Sequence, residues 1–376
     1  MSNKFELPQY PYDQLDVLKT KVAEKFGRVI DLSIGTPVDP SPDAVKEAYS
    51  NLNGSEIGYP PSVGSSELIS AISDWLEHLT GFKPNSTQIG ACIGTKEFIA
   101  SLPGILKLKY PAKDTVIGPA LAYPTYEMGA RLAGLNYEAI EVVNGEPELT
   151  GLSDEVINRS LCLYVNSPAN PSGEIYDLDR IARFAKEKNI LVVSDECYIE
   201  YNWNGNVKSI LSQDCKNILA VHSLSKRSNA AGIRVGSYTG DAEVVGFLKE
   251  VRKHAGLMIP GPSQKAAAAA FRDLEYIQVQ KDTYFKRLEI LAEFFREIGL
   301  EVQLPQGSFY LWIKLTSDSR LNGLDQYDDL CWKWTHWIAL NTGVLVSPGI
   351  FYGEGGRDYV RVAAVAMTDL LMELIA

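Results

Sequence analysis

Cysteine is scarce. The 376 residues hold five, Cys92, Cys162, Cys197, Cys215 and Cys331, and no two of them form a CxxC pair. An odd number at such spacings suits neither a disulfide framework nor a zinc site, so no metal is expected, and reduced thiols in a cytoplasm are. Long apolar runs are missing too. Stretches such as Ala266 to Phe271 fall far short of the roughly 18 to 20 residues that cross a bilayer, so no membrane partner is expected. Positive charge is in deficit: 36 Lys and Arg stand against 47 Asp and Glu, a formal net charge of −11, with no basic run. A nucleic-acid partner is therefore not expected. Met1 to Tyr12 is polar and punctuated by proline, without a basic stretch followed by an apolar one, so no secretory leader is expected.

What is present describes a globular chain. With 45% hydrophobic and 22% charged residues it can bury a large core, as one large or two ordinary domains. Short β-branched runs at Thr115 to Ile117, Ser160 to Val165, Ile190 to Ser194 and Ile218 to Val221 read as buried strands. Between the second and third of these, Asp177 to Asn189 repeats Leu178, Ile181, Ala182, Phe184 and Ala185 at helical spacing, as a crossover helix does. The expectation is an α/β fold with a parallel sheet. Tyr276 to Leu300 reads as a long helix, and beyond it Gly307 to Leu315 and Val360 to Val365 alternate like strands of a separate sheet. The predicted division is an arm with part of a small domain over 1–45, a large domain over 46–275 and the small domain over 276–376.

Common signatures are absent. No GxGxxG opens a helix, there is no HExxH and no GxSxG, and Thr95 breaks the Walker pattern in GACIGTK (Gly90 to Lys96). What remains are polar residues just after predicted strands, where open α/β sheets build ligand sites. Ser223-Leu224-Ser225-Lys226, followed by Arg234, places a lysine among phosphate-seeking groups. Lys226 is either a surface cation or a Schiff-base lysine of lowered pKa, with desolvation and a nearby Arg234 as the expected causes. Ser223, Ser225 and Arg234 would then hold a phosphate. Asp195 is either a helix N-cap or a carboxylate paired with a protonated ring nitrogen, and Tyr198 could donate to a phenolic oxygen of the same ring. Asn170 sits in an Asn-Pro-Ser-Gly turn that is either ordinary or holds its amide over a ligand. Gly94, Thr95 and Lys96 precede the helical Phe98 to Leu108, and bare N–H groups there would receive phosphate.

The order and spacing of NSPANPSG, SDECY and HSLSKRSNAAGIRVG resemble the fold-type I, class I/II aminotransferases, which use pyridoxal 5′-phosphate (PLP). The likeness runs from about Leu32 to Thr368. It implies a mostly parallel seven-stranded sheet in a large domain and a smaller α+β domain. It implies Lys226 as the Schiff-base lysine and proton-moving base, Asp195 on the pyridine nitrogen, and Tyr198 and Asn170 on the ring oxygen. Gly94, Thr95, Lys96, Ser223, Ser225 and Arg234 would meet the phosphate, and Tyr123 of AYPTY would stack on the ring. Arg361 of YVRV would grip the substrate α-carboxylate, its alternative being a strand arginine facing solvent. Gly35 of IGTPVDP would approach the substrate, and Tyr59 would reach the phosphate of a neighbouring subunit, which implies a homodimer. Ser172 replaces the family's usual threonine and keeps a hydroxyl, while Lys96 stands where many relatives carry a small residue.

Longer phrases, DLSIGTPVDP, VRKHAGLMIPGP and SPGIFYG, are similar to the succinyldiaminopimelate aminotransferases of bacterial lysine biosynthesis. That resemblance implies transfer from L-glutamate to N-succinyl-2-amino-6-oxopimelate. Arg252, Lys253 and His254 are candidates for gripping the distal acidic end, or else the end of a solvated helix. An aspartate or broad-specificity aminotransferase and a PLP-dependent C–S lyase are the alternatives within the fold. A PLP-sensing regulator would need a DNA-binding domain, for which motifs that begin within the first 40 residues leave no room.

Overall fold

A computed structural model describes residues 12–51, 58–205 and 207–376. Among them, seven strands form one sheet: β1 (Ile89–Cys92), β2 (Thr115–Pro119), β3 (Asn136–Ile140), β4 (Ser160–Asn166), β5 (Val192–Asp195), β6 (Ile218–Ser223) and β7 (Gly236–Gly240). Their spatial order is β1-β7-β6-β5-β4-β2-β3, and only β7 runs antiparallel to its neighbours. The architecture is the expected α/β one. Both faces are covered, which is why β4, β5 and β6 are buried at every position. Successive side chains go to opposite cores: Val192 and Ile218 pack with Ile181 and Ala185, whereas Val193 and Leu219 pack with Phe98 and Leu102.

The crossover helix runs Leu178–Glu187, with the Asp177 side chain accepting from Arg180 N–H as its cap. The long helix starts two residues earlier than its apolar pattern indicates, at Leu274, because Asp273 caps it by accepting from Tyr276 N–H. Beyond it, β8 (Tyr310–Lys314), β9 (Ser347–Pro348) and β10 (Tyr359–Ala363) form an antiparallel sheet in the order β8-β10-β9. Ile30 and Leu32 share the core of this sheet with Leu288, Leu291 and Val360. Among the described residues no helix is long and apolar enough to cross a membrane, and no cluster of His, Cys, Asp and Glu could hold a metal. All five cysteines are free.

Candidate active site

The carboxyl ends of β4, β5 and β6 open into a cavity of about 260 Å³, closed on the far side by Gly35, Tyr310 and Arg361. Every residue expected to meet the cofactor or the substrate α-carboxylate end lines it except Gly94, which caps an adjoining helix, and Tyr59. Tyr59 is 98% exposed.

Asp195 ends β5 and is buried. Its Oδ2 accepts from Tyr126 Oη at 2.9 Å and its Oδ1 from Cys197 N–H at 3.2 Å. Both donors are neutral, and burial pushes the carboxyl above the usual range. The helix-cap alternative does not apply, since the residues after Asp195 form turns.

Lys226 lies in the one-turn helix Leu224–Arg227 that directly follows β6. Its Nζ donates to the Gly35 carbonyl and sits 6.0 Å from the centre of the Phe309 ring. Burial and the Arg361 charge draw the amine down to about 8. The cation acting on the lysine is thus Arg361, not the expected Arg234. Arg234 is exposed at the rim, where its guanidinium donates to the carbonyls of Ala231 (2.9 Å) and Ile93 (3.3 Å) and meets no carboxylate among the described residues. Its φ of +60° is left-handed, a costly conformation for a residue with a side chain.

Beside Arg234 begins the helix Thr95–Lys109, whose cap residue Gly94 has a φ of +78° and offers no side-chain cap. A Cβ at Gly94 would collide with Arg234 Nη2. Ser223 Oγ accepts from Ser225 N–H at 3.1 Å on the same side of the cavity. Lys96 is exposed at the edge.

Asn170 is braced by Asn166, whose Oδ1 accepts its N–H at 2.7 Å while its Nδ2 donates to the Asp195 carbonyl at 2.8 Å. Asn170 Oδ1 accepts from Arg361 Nη1 at 2.9 Å, and the Ser33 carbonyl accepts from Arg361 Nη2 at 2.7 Å. Arg361 is buried in β10, with its guanidinium 4.2 Å from the Tyr310 ring centre and 4.8 Å from that of Tyr352. The solvent-facing alternative is excluded. Its Nε is buried without a partner. Tyr198 Oη lies 2.8 Å from Tyr310 Oη, and Tyr123 meets Tyr126 edge-on at 5.9 Å.

Arg252 does not belong to the site. It is buried on the helix Ala242–His254 in an ion pair with Glu97, at 3.0 and 2.6 Å, and packs over Phe98. Lys253 and His254 are exposed, and none of the three lines the cavity. The expectation that they grip a distal acidic group within this chain is withdrawn. Residues 1–11 of the predicted arm lie outside the described residues, while Tyr12 lines the cavity.

The cavity fits PLP. A helix start without a side-chain cap behind a positive-φ glycine, two serines and an arginine with no carboxylate partner among the described residues suit a phosphate at one end. A buried carboxylate with neutral donors suits a protonated ring nitrogen at the other. Tyr126, Asn166, Cys197 and Tyr310 were not singled out from the sequence. Tyr126 carried a signal, standing three residues after Tyr123 in AYPTY, but Tyr310 carried none.

Residues 27–376 match the model of a family described as aminotransferase class I and II. The chain is 36% identical over 97% of both chains to 4-dedimethylamino-4-oxo-anhydrotetracycline transaminase OxyQ of Streptomyces rimosus. It is 31% identical to an LL-diaminopimelate aminotransferase of Aquifex aeolicus, over 98% of this chain and 95% of that one. Among solved structures, a probable N-succinyldiaminopimelate aminotransferase from Thermus thermophilus superposes with a TM-score of 0.84 at 25% identity, covering 97% of this chain and 98% of that one.

Proposed function

The chain belongs to the class I and II aminotransferases and catalyses PLP-dependent aminotransfer, and from that premise we propose that it moves an amino group from L-glutamate to N-succinyl-2-amino-6-oxopimelate. The observation that carries the reaction is a buried lysine amine, drawn down to about 8, in one cavity with Asp195 and Arg361. When bound, PLP supplies the carbonyl that takes up the amino group and a ring that withdraws electrons from the substrate's Cα. Asp195 would hold a proton on the ring nitrogen, and Lys226 would anchor the group covalently and serve as the base that moves the proton at Cα. Arg361 binds the α-carboxylate in a two-pronged grip and Gly35 borders the substrate. Gly94, Thr95, Lys96, Ser223, Ser225 and Arg234 would hold the phosphate, Tyr123 would stack on the ring, and Tyr198 and Asn170 would hydrogen-bond the ring oxygen. Tyr59, exposed on its own chain, completes the partner's phosphate site in a homodimer. Free cysteines throughout support a cytoplasmic protein.

The succinylated substrate is supported by the phrases around Gly35, Arg252 and Phe351 and by the likeness to the Thermus structure. The Aquifex relative favours a second reading, unmodified LL-diaminopimelate. Titrating the PLP-loaded protein with N-succinyl-LL-diaminopimelate, LL-diaminopimelate, L-aspartate and L-glutamate, and following the visible band, decides among them. Conversion to the pyridoxamine form by the succinyl compound and glutamate is the expected result. Conversion by LL-diaminopimelate or aspartate without the succinyl compound sinks the substrate, and elimination without pyridoxamine phosphate points to a lyase.

A further inference from the structure

The segment Ser33–Asp39 crosses the substrate side of the cavity and is tied down at its two ends. At the near end Leu32 N–H donates to the Leu345 carbonyl at 2.8 Å, and Ala363 N–H to the Leu32 carbonyl at 2.9 Å. Two carbonyls then face the chemistry: Ser33 accepts from Arg361 and Gly35 from Lys226. Little apolar packing holds the middle, since Ile34 is 47% and Val38 50% exposed. The far end is fixed by charge. Asp39 takes both prongs of Arg287, at 2.6 and 2.7 Å, and a third bond from Gln280 at 3.0 Å. The Pro40 carbonyl accepts from Tyr276 Oη at 2.7 Å, and Ser41 Oγ donates to the Asn229 carbonyl at 2.7 Å.

Tyr276, Gln280, Tyr284 and Arg287 follow one another on a single face of the helix Leu274–Glu297. The same face reaches the lysine side of the site. Asn229, three residues past Lys226 with a left-handed φ of +47°, donates to Tyr276 Oη at 2.7 Å and to Gln280 Oε1 at 3.2 Å. Arg287 itself is only 1% exposed, gives its Nε to Thr368 Oγ1 at 3.1 Å, and does not line the cavity.

We propose that Arg287 is a positioning residue for the substrate half of the site: through Asp39 it sets where Ser33–Thr36 lies, and so where the Arg361 guanidinium and the Lys226 amine are held. A two-pronged pair between a buried Arg287 and a half-buried Asp39 suits this task, because Arg287 left alone would be an uncompensated buried charge. Burial alone would raise the Asp39 carboxyl, yet Arg287 and Gln280 hold it below its ordinary value, so the tie is charged at neutral pH. The role rests on Arg361 and Lys226 acting as proposed above.

The test compares Asp39→Asn and Arg287→Lys with the parent, as PLP-loaded full chains, by four readouts. These are amide exchange over residues 32–38, the Kd for PLP, the melting temperature, and the apparent Kd and limiting rate of the half-reaction with L-glutamate. In Asp39→Asn, exchange over 32–38 is expected to rise about tenfold and the glutamate Kd about tenfold, well inside the ~10²-fold that a displacement of about 1 Å can cost. The limiting rate should fall as well, because the Lys226 amine is held by the same segment, whereas the Kd for PLP should stay within about threefold on the same scale. Arg287→Lys, which keeps one prong, should recover part of the loss. Unchanged exchange over 32–38 overturns the proposal, and so does a parallel loss of melting temperature and PLP affinity, which would make Arg287 merely structural. If Asp39→Asn fails to fold, Gln280→Leu, which removes one bond to the same carboxylate, is judged by the same readouts. Amide exchange needs no substrate, so a wrong donor would fail the functional reading without deciding the fate of the tie.

Discussion

The cavity has two walls of unlike construction. The sheet wall takes Asp195, Ser223, Ser225 and Lys226 from the ends of two adjacent parallel strands and the turn that follows one of them. The opposite wall takes Ser33, Gly35, Tyr310 and Arg361 from distant parts of the chain, and its hydrogen bonds join residues 191 to 328 positions apart. Electrostatically they differ as well. Asp195 on the first wall is buried with neutral donors only, whereas Arg361 on the second is a buried cation that lowers the proton affinity of Lys226 across the gap. A wall built from neighbouring strand ends is rigid by virtue of the sheet, and a wall built from remote segments depends on the ties that hold them. The proposed roles put cofactor chemistry on the first and substrate selection on the second.

Mutations that separate the walls test this division. Lys226→Ala should reduce aminotransfer by about 10⁴-fold in a single-turnover assay, the upper end for loss of a proton-transferring group. Turnover near the parent rate would remove the sheet wall from the chemistry. Asp195→Asn should lower kcat by about 10²–10³-fold. The PLP-free Asn variant should also melt no lower than the parent. A carboxyl whose folded pKa is raised gives stability at low pH that is lost as pH rises through that value, so the Asn variant's relative gain should grow with pH in thermal melts.

On the second wall, Arg361→Lys should raise KM roughly 10- to 10²-fold, as expected for about 1.5–3 kcal/mol of charged hydrogen bonding, with PLP affinity nearly unchanged. An equal loss of PLP affinity in equilibrium dialysis would mean the walls do not divide the work. The link between them can be read by pH. Capture of PLP by the PLP-free protein should speed up as pH rises through about 8, where the Lys226 amine loses its proton, and level off above it. Arg361→Gln removes a repelling charge and should move that midpoint upward, and an unmoved midpoint would sever the link. The smallest effect is expected for Tyr59→Phe, a several-fold loss of PLP affinity worth about 0.5–1.5 kcal/mol, with sedimentation still giving a dimer.

The same contrast explains what could be read in advance. SDECY and SLSK were legible because each follows an apolar run that can only be a buried strand, and strand ends of a parallel sheet are where ligands sit. Arg361 lay in an equally clear strand, but alternation gives a face and not a partner, so solvent remained an open choice until β10 was seen against Tyr310 and Tyr352. Arg252 was misjudged for a local reason. Read as a trio with Lys253 and His254 it resembles a cationic patch, yet it falls four residues after Leu248 and eight after Val244, on the buried stripe of its helix, where Glu97 neutralises it. Asp39 and Arg287 are separated by 248 positions, and nothing in either neighbourhood announces the other.

By itself the sequence determined the α/β class, the family likeness and the placing of Asp195 and Lys226 at strand ends, because these depend on residue type at short spacing and on hydrophobic period. The tertiary structure alone decided that Arg361 rather than Arg234 acts on Lys226, that Arg252 is buried away from the cavity, and that Tyr126 and Tyr310 complete the two walls. Charges act through space and burial is a property of packing, so neither is encoded within the few residues on either side of the group that feels it.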